Sequence, residues 1–435
     1  MLDHFFVPQK NNASFFLKLL TTACIFCLPL TVVDAAPQKK TKIKVSKKIK
    51  TVVVQKKQET EQEQKKEPLI SDFSDFALTE NEVAAPYVYI IDSQTGSVLL
   101  SRNATAQMRP SSMTKVMTAY SVIEKIKAGQ ISPEDKITVT RTAYEKEGSR
   151  SFLNIGDQFK VMDLLKGMII QSGNDASVLL AEHCAGSEQI FAKMMTEKAL
   201  AMGAKHTNFV NVTGLPDDAH LTTPFDLAVI TKRAIQDHPE YYSLYKEKEF
   251  TIGDVKNPQQ NRNPLLSTDL NCDGVKTGFT NAAGYGLIGS CVRDGRRVIM
   301  VINGLPTSRS RAKEAYALMK WSLDSFTNVT VLKADQDIAH IPVKYGDKDF
   351  VSAAVTKDWM VTIPKIYQDK ISIEKQIVSH VEAPVMPGQV LGTVTVTSPY
   401  LKSPLKIDLV AKDLIQRGNF LKKIWQDLRS FLGKK

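Results

Sequence analysis

Arg109-Pro110-Ser111-Ser112-Met113-Thr114-Lys115 places a hydroxyl and an amine in the first turn of a helical pattern. Downstream, Met113, Val116, Met117, Tyr120, Ile123 and Ile126 recur at three- and four-residue spacing and stop before Gly129, which reads as an amphipathic helix. Ser112 thus sits at a helix start, where backbone amides carry partial positive charge. Lys115 lies one turn further along the same face, within reach of that hydroxyl. A serine nucleophile needs a proton acceptor, and a lysine at its reference pKa of about 10.4 is a poor one. Burial or a neighbouring cation lowers such a lysine by up to roughly 3 to 5 pH units. Lys276 is the candidate neighbour.

Working outward, residues 87–92 and 98–102 are β-rich runs on either side of Ser93-Gln94-Thr95-Gly96, and they read as a hairpin. A second hairpin is expected from 285–292 and 297–303, joined at Arg293-Asp294-Gly295-Arg296, because Asp-Gly is a strong turn signal. The pattern between the two hairpins is mainly helical. Strands enclosing helices predict an α/β fold in the broad sense (α+β), an antiparallel sheet packed against a helical cluster, over residues 84–332. Beyond it, short β-like runs at 343–345, 360–363, 371–373, 389–396 and 405–410 predict a small all-β domain over 333–415. It carries no catalytic constellation and reads as a spacer. The stretch 416–435 is amphipathic, with Phe420, Leu421, Ile424, Trp425, Leu428, Phe431 and Leu432 on one helical face and Lys422, Lys423, Arg429, Lys434 and Lys435 around it. Such a helix suits an anionic membrane surface; packing onto the β domain is the alternative.

The 435 residues, 43% of them hydrophobic, suffice for two cores with tails left over. The net charge of +11 resides at the ends: residues 37–68 carry +7, residues 418–435 carry +4, and the body is neutral. That distribution argues against a nucleic-acid groove. An uncharged, mostly apolar stretch at 19–33 follows Lys10 and Lys18 and precedes Val33-Asp34-Ala35-Ala36, so residues 1–35 read as a cleaved export signal. It is shorter than the ~20 apolar residues a membrane span needs. Residues 36–83, rich in Lys, Gln and Glu, read as a disordered linker. Export leaves Cys184, Cys272 and Cys291, an odd number with no evident disulfide framework. They are expected to be three buried small hydrophobes.

Two further strings complete the chemistry. Gln171-Ser172-Gly173-Asn174-Asp175-Ala176 opens a helix after an apolar run, and Lys276-Thr277-Gly278 ends an apparent strand ahead of a hairpin. With Ser112 and Lys115 they supply a nucleophile, a base without histidine and a carboxylate-binding strand, the set used for acyl transfer on a peptide carbonyl. No His-Glu-x-x-His or Gly-x-Ser-x-Gly is present, so zinc-protease and α/β-hydrolase motifs are missing. His220 reads as a packing or capping residue, and Asp175 and Asp226 as helix caps. No metal or cofactor is expected.

These blocks, together with His220-Leu221-Thr222-Thr223, Asn261-Arg262-Asn263 and Asp273-Gly274-Val275, resemble the low-molecular-mass penicillin-binding proteins, the serine-type D-alanyl-D-alanine carboxypeptidases, from about residue 84 to the end. Phe279 stands where some members carry histidine. The resemblance implies that Ser112 attacks the carbonyl between the last two D-alanines of a peptidoglycan stem peptide while Lys115 takes its proton. It implies that the amides of Ser112 and Phe279 hold the oxyanion, and that Ser172, Asn174 and Lys276 relay protons and position the amide. Lys276, Thr277, Gly278 and Arg262, helped by Arg311, would bind the terminal carboxylate. β-Lactams would be covalent inhibitors, and the expected location is the periplasmic face of the inner membrane. A D,D-endopeptidase and a penicillin-binding wall scaffold are the alternatives. The Glu-x-x-Leu-Asn block of a β-lactamase is not found between Ser172 and Lys276.

Overall fold

The structure, a computed structural model, describes residues 82–425 apart from 254 and 422. The expected signal (1–35), all but the end of the linker (36–83) and the last part of the tail (426–435) lie outside the described residues.

β1 (Tyr87–Asp92) and β2 (Val98–Arg102) form the first expected hairpin. The chain then turns helical: α1 (Lys115–Lys127), α2 (Asn174–Ala185), α3 (Glu188–Ala201) and α4 (Pro224–Asp237). It returns to sheet as β3 (Cys272–Thr280), β4 (Gly284–Arg293) and β5 (Arg296–Leu305), followed by α5 (Ser308–Ser325). The sheet order is β2-β1-β5-β4-β3, antiparallel throughout. Successive side chains on a strand point to opposite faces, and both faces are covered. Val88, Ile90, Val298, Met300 and Ile302 enter a core with α5, whereas Tyr89, Ile91, Ile299 and Val301 enter the core built by the other helices. Each such side chain contributes roughly 1.5–3 kcal/mol on burial.

α1 departs from the amphipathic reading. Residues 115–123 are buried without interruption, because the helix runs between α2, α3 and α4 under the sheet instead of along the surface. Its polar side chains find partners in the interior, as where Thr118 Oγ1 donates to Val212 O at 2.8 Å.

The cysteine expectation requires correction. Cys272 and Cys291 form a disulfide, and only Cys184 is a free thiol among the described residues. The two are cross-strand neighbours in the β3–β4 register, a proximity that a separation of 19 residues in the chain does not disclose.

Past α5 the chain is all β: β6 (Phe326–Leu332), β7 (Ala339–Lys344), β8 (Phe350–Ala354), β9 (Trp359–Pro364), β10 (Ser372–Ile377), β11 (Val381–Glu382), β12 (Val390–Thr397) and β13 (Leu405–Ala411). β6 pairs with β9, and a six-stranded sheet runs β10-β12-β13-β8-β7-β11. Ile341, Val351, Val361, Ile363, Val394 and Leu409 fill its core. β6 begins at Phe326, ahead of the boundary expected at 332, because its hydrogen-bond partner is a strand of the β module. At the start of the tail Phe420, Leu421, Ile424 and Trp425 are exposed. Among the described residues no helix is long and apolar enough to cross a membrane.

A buried carboxylate joins the modules. Asp92, fully buried at the end of β1, accepts from Arg296 Nε at 2.8 Å and from Asn328 Nδ2 on β6. Beside it Thr95 Oγ1 lies 2.6 Å from Thr362 Oγ1 on β9. Removing one member of a buried pair strands the other charge, at a cost of about 3–5 kcal/mol. Asp92→Ala is therefore expected to lower stability by roughly 3 kcal/mol, measured as an earlier midpoint in urea; an unchanged midpoint would show the pair to be dispensable.

Candidate active site

Ser111–Thr114 form a single tight turn that feeds directly into α1. Ser111 takes a positive φ of 50°, unusual for a residue with a β-carbon, directly ahead of Ser112. Gly214 makes the approach possible: with φ +84°, a β-carbon there would lie 1.7 Å from Ser111 O. Ser112 is half-buried and its neighbour Lys115 almost fully so.

The Lys115 ammonium position touches three oxygens. Nζ lies 3.2 Å from Ser112 Oγ, 2.7 Å from Asn174 Oδ1 and 2.6 Å from Thr213 O. A neutral amine has two N–H donors and one lone pair. Two of the three neighbours, the amide oxygen and the backbone carbonyl, only accept; the third is a hydroxyl able to donate. The geometry admits an uncharged lysine whose lone pair faces the serine proton. Electrostatics favours the same state: burial first, then Lys276 and Arg262, hold Lys115 well below the ordinary lysine range, against a smaller opposing pull from Asp175 and Glu188.

Asn174 is the first residue of α2, and its Nδ2 donates to Glu147 O at 2.6 Å, so its oxygen is the atom turned to Lys115. Ser172 sits in the left-handed region at φ 66°, buried, with no hydrogen-bond partner for its hydroxyl. Gly173 between them packs against Ser151, whose Oγ would be 2.1 Å from an added β-carbon. Asp175 corrects the cap reading. Its carboxylate accepts from Ser151 N at 2.8 Å and from Ala176 N at 2.8 Å, so it anchors the wall at 149–153 as well as its own first turn. Asp226 is not a cap either. Thr223 caps α4 by accepting from Asp226 N, and the Asp226 carboxylate accepts from His206 N and Thr207 Oγ1.

β3 forms the opposite wall. Lys276 and Thr277 are buried, and Gly278 lies against Pro110 and Ser111. Lys276 touches Thr277 O only at 3.5 Å, and among the described residues no carboxylate pairs with it. Burial, then Arg262 and Arg311, bring it down to about 7. Arg262, exposed, donates from Nη1 to Ser149 Oγ at 2.7 Å. Arg311 on α5 is buried, with its guanidinium 5.7 Å from the Tyr285 ring centroid. Tyr285 stacks on the half-exposed Phe279 at 4.1 Å between centroids. Lys276, Arg262 and Arg311 thus form one cationic cluster suited to a carboxylate.

His220 keeps the packing role expected of it. Its Nδ1 accepts from Val210 N at 3.1 Å, which leaves Nε2 to donate to Thr114 Oγ1 at 2.9 Å, and burial lowers the ring to about 4. The sequence reading missed Thr213, which acts through its backbone carbonyl, and Ser149, which steadies Arg262. Neither role leaves a side-chain signature in the chain.

A family profile described as D-alanyl-D-alanine carboxypeptidase matches residues 74–307, and one described as the C-terminal domain of penicillin-binding protein 5 matches 326–417. The chain belongs to the D-alanyl-D-alanine carboxypeptidase family. It is 36% identical to the D-alanyl-D-alanine carboxypeptidase DacA of Haemophilus influenzae, over 73% of this chain and 82% of that one. Identity to DacC of Escherichia coli is also 36%, over 80% and 89%. The crystal structure of penicillin-binding protein 5 from H. influenzae superposes with a TM-score of 0.71 at 33% identity, covering 78% of this chain and all of that one. Penicillin-binding protein 6B from E. coli gives 0.64 at 31% identity, covering 78% and 99%.

Held so far below the ordinary lysine range, the Lys115 amine sheds its proton early in a pH titration. Acylation by labelled benzylpenicillin is thus expected to reach its plateau well below the ordinary lysine value of about 10.4. A rate still climbing about tenfold per pH unit up to that value would mean the amine remains charged.

Proposed function

We propose that this chain is a serine-type D-alanyl-D-alanine carboxypeptidase that removes the terminal D-alanine from peptidoglycan stem pentapeptides through an acyl-enzyme on Ser112. The carrying observation is the 3.2 Å contact between Lys115 Nζ and Ser112 Oγ beside a cluster of cations. In this reading Lys115 takes the Ser112 proton as Oγ attacks the scissile carbonyl. The amides of Ser112 and Phe279 hold the oxyanion, each donor contributing about 3–4 kcal/mol as in other hydrolases. Ser172, whose buried hydroxyl has no partner, passes a proton toward the leaving amine with Asn174 and Lys276 around it. Lys276, Thr277, Gly278, Arg262 and Arg311 receive the terminal carboxylate, and the leaving group departs as free D-alanine. Water then attacks the ester and regenerates Ser112. A β-lactam follows the first step and stays attached.

Release of D-alanine from a pentapeptide is the direct test. The wild type is expected to release one equivalent per peptide, and Ser112→Ala to release none above background; retained turnover in Ser112→Ala would remove the serine from the chemistry. Mass spectrometry of digested wall fragments adds a second outcome: cleaved cross-linked dimers, without loss of single D-alanines, would replace the carboxypeptidase by an endopeptidase.

We further propose that the enzyme is exported and works at the periplasmic face of the cytoplasmic membrane, held there by residues 416–435. The exposure of Phe420, Leu421, Ile424 and Trp425 and the six basic residues of this stretch support that reading, each cation adding about 1 kcal/mol at an anionic surface. Vesicles containing anionic lipid are expected to sediment the full chain but not a chain ending at 415. Equal sedimentation of both would place the attachment elsewhere.

A further inference from the structure

Glu188 is the first residue of α3 and only 7% exposed. An acid in the first turn of a helix is ordinarily a solvated group that complements the helix dipole. This one is buried, and each of its oxygens holds a different wall of the active site. Oε1 accepts from Val212 N at 3.2 Å, and the next residue, Thr213, supplies the carbonyl that Lys115 Nζ contacts at 2.6 Å. Oε2 accepts from Lys146 Nζ at 2.6 Å, and the next residue, Glu147, supplies the carbonyl that binds Asn174 Nδ2 at 2.6 Å. Asn174 Oδ1 is the other carbonyl-type contact of Lys115, at 2.7 Å. Of the two acceptors that orient the Lys115 amine, one is a single residue and the other a residue and a hydrogen bond removed from a group that Glu188 grips.

We propose that Glu188 is a positioning residue for the acyl-transfer reaction, clamping the segments on either side of Lys115 so that its lone pair is aimed at Ser112. The inference rests on the acyl-enzyme reading above. If the clamp loosens, the two N–H groups of Lys115 lose their fixed acceptors and the amine turns away from the serine proton. Misplacing a reacting group by about 1 Å costs on the order of a hundredfold in rate. The carboxylate also acts by its charge. Lys115 is faced by Lys276 and Arg262, which disfavour its protonation, and by Asp175 and Glu188, which favour it; His220 lies beyond Thr114. Lys146 faces Glu188 itself. Neutralising Glu188 removes one of the two anions and leaves Lys146 unpaired, so the amine is deprotonated at lower pH.

The test is the rate of Ser112 acylation by saturating benzylpenicillin in the full chain, measured against pH for wild type, Glu188→Ala and Glu188→Gln. Glu188→Ala is expected to acylate roughly tenfold to a hundredfold more slowly at saturation, with half-saturation little changed. Glu188→Gln keeps an acceptor for Val212 N and loses the ion pair. Its rate is expected to fall between the other two, and its acid limb to move to lower pH. A merely structural role would lower rate and affinity together in proportion to the folded fraction and leave the limb in place. If Glu188→Ala does not fold, Glu188→Gln decides alone: an unmoved limb and a wild-type rate overturn the proposal. Failure of the wild type to acylate would instead overturn the acyl-enzyme reading.

Discussion

A buried lysine amine held well below its ordinary titration range is the constraint around which this molecule is organised. Lys115 is buried among two other cations that oppose its protonation and two carboxylates that favour it. Its nitrogen lies against two fixed carbonyl-type oxygens and one hydroxyl. Burial of an amine disfavours its charged form, and the Ser112 hydroxyl lies at the same point. Most of the surrounding architecture serves to maintain this balance. α1 is buried over its first nine residues, so almost none of Lys115 meets solvent. The loop at 211–215 is pinned through Asn211 Oδ1, which accepts from Thr213 N, Thr213 Oγ1 and Gly214 N.

The wall opposite the serine is held with equal care and by different means. β3 carries Lys276 and Thr277, and its start is joined to β4 by the Cys272–Cys291 bridge. Next to the bridge, Arg297 donates to both oxygens of Asp273, and Tyr242 donates to one of them. Covalent and charge-assisted restraints thus meet at one end of the strand. At its other end Phe279 stacks on Tyr285, which also faces Arg311. Aromatic surface thereby positions a guanidinium that no carboxylate neutralises among the described residues.

The β module is tied to this frame through Asp92, Thr95, Asn328 and Thr362. The anchor lies at the end of β1, on the sheet's far side in sequence from the Lys-Thr-Gly strand. A charge pair is a poor source of net stability, since desolvation offsets much of its attraction. It does impose a unique geometry, because few orientations of the two modules satisfy a buried carboxylate with a guanidinium and an amide at once.

Residue types and short-range order in the chain determined the two hairpins, α1 and the all-β module, and marked Ser112, Lys115, Ser172, Asn174 and Lys276 as candidates. Those features arise from periodicity, turn chemistry and side chains whose reactivity is intrinsic. Tertiary structure alone decided the rest. The disulfide depends on β3–β4 register, and the burial of α1 on how many neighbours surround it. Asp175 and Asp226 proved to be clamps because their oxygens meet amides brought from other parts of the chain. Thr213 and Glu188 escaped notice for a related reason: one acts through a backbone carbonyl and the other through segments it holds. Such contacts join positions far apart in sequence, and only the folded chain brings their atoms within bonding distance.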